Sequence, residues 1–474
     1  MYVLVLESST TSAKAMLVNT ADGSRETETK AYPAYYADPS LHDAERVFLE
    51  TAAAGARLCA GRQIDIIALS GVFHSVMLCD DDFTPKTPIY QWSNTEAAGI
   101  CKKLRADEAY TRNFYQKTGC MVNAIYPAFK LKMLRERGYR LEDCMIAGQG
   151  TYNNFRLTGE RIVTDCTASG SGLFNIREKR YDKDILSELG LSESNLARLV
   201  AYNDSYPLSE SGAKLLGLDP GIPVMPCCPD GALNQVGSGA LGEGVMTLSV
   251  GTSGALRLAV PKPVLPEAPS VWCYLNPKSW LSGAAVSGCC NCVDWCKDQL
   301  FGPEATYAEI ERRLGETNDT PVFLPFLFGE RCPGWQDERK GGFLGVTPSH
   351  TKYDLYQSVL EGVLFNLYQC YQVLTAINGA PKQIKLSGGI INSPFWSQMC
   401  ADIFGMKMDV DEAAQGSLMG AAALAFEKLG VISDVSDFHT GAVKVIEPNK
   451  DMAGLYAEKY KRYLEYYRGE PLGK

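Results

Sequence analysis

The chain has 474 residues, 46% hydrophobic and 21% charged, which predicts two to four domains of a soluble globular protein with a substantial core. A formal net charge of -9 and the lack of a basic stripe exclude nucleic acid and anionic membrane as partners, and no apolar run is long enough to span a bilayer. No basic leader precedes the first strand, which predicts a cytoplasmic protein whose 16 cysteines are free thiols and not a disulfide framework.

Strands and helices alternate along the chain, so the fold class is α/β. A strand over 2–7 runs into Glu7-Ser8-Ser9-Thr10-Thr11-Ser12, and a return strand over 14–18 follows. A helix is expected over 43–60, a strand over 65–71 that ends near His74, and a helix from Ala128 to Arg137. Residues 151–185, rich in Thr, Ser and Gly, read as loops around short strands. Ile222–Met225 is a short strand, after which Asp230 can cap a helix over 232–236. The break at Gly242-Glu243-Gly244 places the domain boundary, giving domains 1–243 and 244–474, and offers a hinge. The strand over 247–250, the turn Gly251-Thr252-Ser253-Gly254 and a return strand then repeat the opening pattern. Thr351, with Asp354 three residues on, caps a long amphipathic helix. A strand over 384–387 ends in Gly388-Gly389, and Ser393 caps a helix with Pro394 at its first position. The last clear helix is the small-residue run 418–425.

Two turns of small hydroxyl residues, each between antiparallel strands, can supply backbone N–H groups and hydroxyls to a polyphosphate, with Mg²⁺ screening the charge. Either turn alone is an ordinary hairpin; the repetition is the signal. No G-x-x-x-x-G-K-[ST] is present, and the single GxGxxG, at Gly237, Gly239 and Gly242, follows a helix and not a strand. Cys289, Cys290, Cys292 and Cys296 lack the paired CxxC spacing of zinc ribbons and read as buried small side chains. Asp230, at a helix start after a strand, is either a structural N-cap or a base that accepts a hydroxyl proton. His74, at a strand end, is either a hydrogen-bonded structural residue or a ligand group.

Six segments in order resemble the FGGY carbohydrate kinase family of the actin-like and hexokinase-like ATPase superfamily. They are LESSTTSAKAML, YPAFKLKMLRERG, PDGALNQVGSGAL, TLSVGTSGALRL, LSGGIINSPFWSQMCADIFG and GSLMGAAALA. SGVFHSVML, TASGSGLFNI and LPFLFGERCPGW look most like the gluconate kinase branch, with xylulose kinases next. The resemblance implies two ribonuclease-H-like domains with ATP and a sugar in the cleft between them. It implies that Thr10, Thr11, Ser12 and Lys14 contact phosphates from the first domain and Gly251, Thr252 and Ser253 from the second. Gly388, Gly389, Asn392 and Ser393 would line the adenosine pocket. His74, Ser75, Trp92, Asn94 and Tyr126 would face the sugar, Asp230 would take the hydroxyl proton, and Glu7 with Asp230 would hold Mg²⁺. Family members often form homodimers, although no segment here marks an interface.

The chain departs from the family pattern at several positions. Glu7 and Ser9 replace the usual Asp and Gly, and Ser9 would be costly if its backbone needed φ > 0. In Trp92-Ser93-Asn94-Thr95-Glu96, Asn94 replaces a carboxylate and Glu96 a cation, and Asn123 stands where a His is frequent. The expected activity is ATP-dependent phosphorylation of a sugar acid, with a ketose or polyol as the alternative. A nucleotide- or sugar-binding sensor competes, and the retained Asp230 and Lys14 argue against it. A polymerising actin-like protein would leave the sugar-side segments without purpose.

Overall fold

Val3-Leu4-Val5-Leu6 is apolar at every position, and the strand it forms is buried on both faces, as a central strand between helical layers must be. The computed structural model describes residues 1–33, 40–315, 318–410, 415–438 and 444–469. It divides into two units. The first comprises Met1–Gly242, Pro261–Leu281 and Ala413–Thr440; the second comprises Glu243–Val260, Ser282–Glu412 and Gly441–Lys474. Neither unit is continuous in sequence: Pro261–Leu281 and Ala413–Thr440 belong to the first.

The first unit is built on β1 (Tyr2–Ser8), β2 (Ser12–Asn19), β3 (Arg25–Ala31), β4 (Ile66–Gly71), β5 (Tyr206–Pro207), β6 (Pro223–Val224) and β7 (Cys228–Pro229). The order is β5-β6-β4-β1-β2-β3, and β7 also pairs with β4. β1 runs antiparallel to β2 and parallel to β4. Side chains alternate across the sheet. Leu4 and Leu6 pack with Phe48 and Ala52 of the helix Ala44–Cys59, whereas Val3 and Val5 pack with Leu233, Leu418 and Ala422. Asp43 caps the helix Ala44–Cys59 by accepting from the Arg46 N–H.

The second unit repeats the core of this pattern with β8 (Val245–Val250), β9 (Gly254–Val260), β10 (Ser279–Val286), β11 (Gln383–Ser387), β12 (Met408–Val410) and β13 (Lys444–Ile446). Its order is β10-β9-β8-β11-β12-β13, again with an antiparallel hairpin beside a parallel neighbour. Thr351 and Asp354 form a capping box on the helix Lys352–Asn378, and Ser393 caps Pro394–Phe404.

Several helices were not expected, and two of them show why. The stretch expected to be loops starts inside the helix Gln149–Thr158, whose Thr and Asn residues and Gly150 are weak in helix propensity. Burial overrides propensity: Asn153 donates to the Ser8 hydroxyl at 2.8 Å, and Asn154 accepts from the Cys227 N–H at 3.0 Å. A further helix, Ala453–Arg468, lies beyond the run expected to be the last; its buried face is Tyr456, Lys459, Tyr460 and Tyr463, not aliphatic. Among the described residues no helix is long and apolar enough to cross a membrane.

The helices Asp230–Gly237 and Gly416–Lys428 cross with backbones in contact. A Cβ on Gly420 would lie 2.0 Å from the Leu233 carbonyl oxygen, and one on Gly237 would lie 1.9 Å from that of Gly416. Gly420→Ala should therefore destabilise by about 1–3 kcal/mol through overpacking, despite alanine's better helix propensity. Gly454, in the helix Ala453–Arg468, has open space around its Cα, so Gly454→Ala should be neutral or stabilising. Paired thermal melts check this; equal melting temperatures would show that the helices can separate without cost.

Candidate active site

Three parallel strand ends organise the first unit. Ser8 of β1 lies opposite Gly71 of β4, and Gly71 lies opposite Pro229 of β7. With strand spacings of about 4.8 Å, Ser8 and Pro229 are roughly 10 Å apart. The hydroxyl turn leaves from the first end, Val72-Phe73-His74 from the second and Asp230 from the third. Loops at the carboxyl ends of parallel strands are the usual place for ligands in α/β sheets.

The turn is tied internally. The Ser9 hydroxyl donates to the Ser12 carbonyl at 2.8 Å and accepts from the Ser12 N–H at 3.2 Å. Ser9 is not among the residues with positive φ, so the anticipated strain of replacing glycine does not arise. Thr10 accepts from the Trp92 indole at 3.1 Å, which joins a residue expected at the sugar to one expected at phosphate. Thr11 is exposed and Ser12 buried. Lys14 lies opposite Glu7 in the β1–β2 ladder, and Ser70 lies opposite Glu7 in the β1–β4 ladder. Glu7, only 1% exposed, accepts from the Lys14 ammonium at 2.7 Å and from the Ser70 hydroxyl at 2.7 Å.

Asp230 is the first residue of its helix and not its N-cap; that position is Pro229, which makes no side-chain capping bond. One Asp230 carboxylate oxygen accepts from the Gly231 N–H at 2.7 Å. The structural explanation considered for this residue, an N-cap, is therefore corrected.

His74 has φ +61°, a sparsely populated conformation for a residue with a Cβ. Its Nδ1 lies 2.6 Å from the Gly170 carbonyl oxygen. A carbonyl only accepts, so Nδ1 carries the hydrogen and, in the neutral ring, Nε2 is the acceptor. Tyr126 packs edge-on against this ring at 5.1 Å. Lys130, fully buried, donates to the Ala124 and Ile125 carbonyls at 2.7 Å each and so fixes the segment before Tyr126; burial pulls its ammonium down to about 7. Asn123 accepts from the Ile125 N–H in the same turn.

Two expected sugar-side residues are engaged in their own surroundings. Ser75 accepts from the Gln149 N–H at 3.2 Å. Asn94, buried, donates to Glu96 at 2.8 Å, and Glu96 pairs with Arg137 at 2.5 Å. The Asn94 bond lowers the Glu96 pKa, desolvation opposes it, and Arg137 adds to the lowering.

In the second unit, the turn Gly251–Ser253 follows β8 and Gly388-Gly389 follows β11, adjacent parallel strands in register at Ser249 and Ser387. Thr252 and Ser253 are exposed. The Cys290 N–H, at the start of the helix Cys290–Phe301, donates to the Gly251 carbonyl at 2.9 Å. Gly388 has φ +94°, and a Cβ there would lie 2.4 Å from the Val250 carbonyl oxygen, so only glycine fits. Gly389, Asn392 and Ser393 line a cavity of about 280 Å³; Gly388 is not among its lining residues. Asp294, Tyr307, Glu311, Tyr356 and Trp396 complete much of its wall. Of these five, Trp396 lies in the segment that follows Gly388-Gly389, and the other four carried no motif in the sequence. The Tyr307 hydroxyl donates to Asp294 at 2.5 Å, and burial raises the Glu311 carboxyl, opposed by a hydrogen bond from Ser393.

Among the described residues no group of three or more His, Cys, Asp or Glu side chains is placed to hold a metal ion. Any divalent ion here would rely on one or two carboxylates, water and the phosphates of a substrate, the usual manner of Mg²⁺.

Known proteins resemble this chain along nearly its whole length. The gluconokinase of Bacillus subtilis (strain 168) is 28% identical over 480 residues, covering 96% of this chain and 93% of that protein. The crystal structure of gluconate kinase from Lactobacillus acidophilus superposes with a TM-score of 0.92 at 26% identity, covering 99% of this chain and 98% of that one. Ligand-bound xylulose kinase from the same organism gives 0.93 at 26% identity, with the same coverage. Residues 2–237 match the N-terminal domain, and residues 246–428 the C-terminal domain, of the FGGY family of carbohydrate kinases. The chain belongs to this family and is an ATP-using carbohydrate kinase.

Proposed function

We propose that the enzyme transfers the γ-phosphoryl group of ATP to a hydroxyl of a gluconate-like sugar acid, with Asp230 as the proton acceptor. The observation that carries this is the placement of the hydroxyl turn, the His74 segment and Asp230 at the ends of β1, β4 and β7 in one register. The sugar oxygen attacks phosphorus, the bond to the β,γ-bridging oxygen breaks, ADP leaves, and the proton passes to Asp230. Such a transfer depends mostly on positioning and charge stabilisation. Thr10, Thr11, Ser12 and Lys14 serve phosphate in the first unit, and Gly251, Thr252 and Ser253 in the second. The 280 Å³ cavity beside Gly389, Asn392 and Ser393 has the size and mixed lining for an adenosine. His74 offers Nε2 to a sugar hydroxyl, with Tyr126 packed beside the ring, and Trp92 serves the sugar from its bond to Thr10. Mg²⁺, when bound with ATP, would neutralise phosphate charge; Asp230 and Glu7 would hold its water shell, Glu7 giving up part of its bonding to Lys14 and Ser70 to do so.

Similarity to gluconokinases supports the sugar-acid reading. One observation favours a neutral ketose or polyol instead. Glu96 occupies the position where relatives commonly have a cation, and its carboxylate is engaged by Asn94 and Arg137.

ADP release should be measured with Mg-ATP across gluconate, other sugar acids, pentuloses and polyols. Turnover on one compound is expected, and Asp230→Asn should lower kcat by about 10²–10⁴-fold while ATP still binds. Near-parental rates in that variant would remove Asp230 from the chemistry. Turnover confined to a pentulose would decide for the neutral-sugar reading. For Glu7, the Glu7→Gln variant should need more Mg²⁺ for half-maximal rate. An unchanged Mg²⁺ titration would leave Glu7 as the partner of Lys14 alone.

A further inference from the structure

The strand Trp272–Asn276 belongs to Pro261–Leu281, the segment that joins the first unit. Several bonds fasten it there. The Cys273 N–H donates to the Gly119 carbonyl at 3.1 Å, the Tyr115 hydroxyl to the Val271 carbonyl at 2.6 Å, and the Leu275 N–H to the Ser169 hydroxyl at 2.9 Å. Between these anchors sits Tyr274, 2% exposed. Its ring stacks on Trp272, two residues earlier on the same strand face, at 4.4 Å and 6°. It meets the His74 ring edge-on at 5.5 Å, and its hydroxyl lies 2.7 Å from that of Tyr126. Phe73 closes the group, stacked on His74 at 5.0 Å and tilted against Tyr274 at 5.5 Å. Nothing in Trp272-Cys273-Tyr274-Leu275-Asn276 marks it in the sequence as more than a core strand.

We propose that Tyr274 is a positioning residue for the sugar, acting through Tyr126 and His74. In the pair of phenols one hydroxyl donates and the other accepts, so Tyr274 decides whether Tyr126 can present a hydrogen or a lone pair to another group. Its ring also limits the tilt of the imidazole, while Gly170 fixes its tautomer. A ring already stacked on Trp272 loses little freedom in doing this, which is the condition for a precise second layer behind a binding site. The proposal rests on the reading of His74 and Tyr126 as sugar-facing.

Tyr274→Phe keeps the ring and deletes the hydroxyl. It should raise KM for the sugar about tenfold and leave KM for ATP unchanged, the size expected of one buried hydrogen bond. Tyr126→Phe should raise KM for the sugar at least as much, since it removes the sugar-facing hydroxyl as well, and the double variant should be no worse than Tyr126→Phe alone, because Tyr274 acts through that hydroxyl. With only 4 histidines in the chain, selective ¹³C-histidine labelling gives a direct probe, and His74→Ala assigns the His74 signal. The sugar found in the panel should move that signal in the parent enzyme, and Tyr274→Phe should shift its resting position. A responsive parent signal together with unchanged sugar KM in Tyr274→Phe, or single effects that multiply in the double variant, overturns the role of Tyr274 alone. A parent signal that ignores saturating sugar overturns the sugar-facing reading of His74, and this proposal with it.

Discussion

The register between β1 and its two neighbours is the constraint on which the first unit's site depends. Glu7 lies opposite Lys14 on one side and Ser70 on the other, and those are the two side chains that bind its carboxylate. A slip of one residue would turn Glu7 to the opposite face of the sheet, among apolar side chains. A buried carboxylate without its partner costs several kcal/mol, so the ion pair specifies the register as much as it uses it. Once β1 is in register, the hydroxyl turn, the His74 segment and Asp230 follow at the ends of three neighbouring strands.

The second unit reaches a similar hairpin-plus-parallel-strand arrangement by other means. Its turn is held by a helix-terminal N–H, from Cys290 to the Gly251 carbonyl. The approach of β11 is set by Gly388, where any side chain would strike Val250. The two turns thus resemble each other in topology and differ in what stabilises them. Electrostatics fixes the first, and absence of side-chain volume fixes the second.

The sequence made legible whatever is written locally. The repeated hydroxyl turns, the Thr351 and Ser393 caps and the strand ahead of Asp230 all depend on residues adjacent in the chain. What depends on distant partners was not legible. The helix Gln149–Thr158 looks like a loop by propensity and is made a helix by Asn153 and Asn154 bonding to Ser8 and Cys227. The cost expected at Ser9 presupposed a backbone conformation that the turn does not adopt. Asp294, Glu311 and Tyr274 lie in ordinary amphipathic or apolar stretches, and only packing gives them neighbours of interest. Asn94 and Glu96 were noticed as substitutions, but their mutual bond and Arg137 appear only in three dimensions.

The helix Gly416–Lys428 falls within the match to the family's C-terminal domain, yet it belongs to the first unit, where Leu418, Ala421, Ala422 and Leu424 cover the face of Val3, Val5 and Met16. The strands β1 and β2 therefore finish their core with residues synthesised well after them, beyond β12. On the ribosome, the amino-terminal half emerges with an apolar sheet face that its own first 242 residues leave without this cover. A fragment ending at Gly242 would keep that face open and be prone to aggregate.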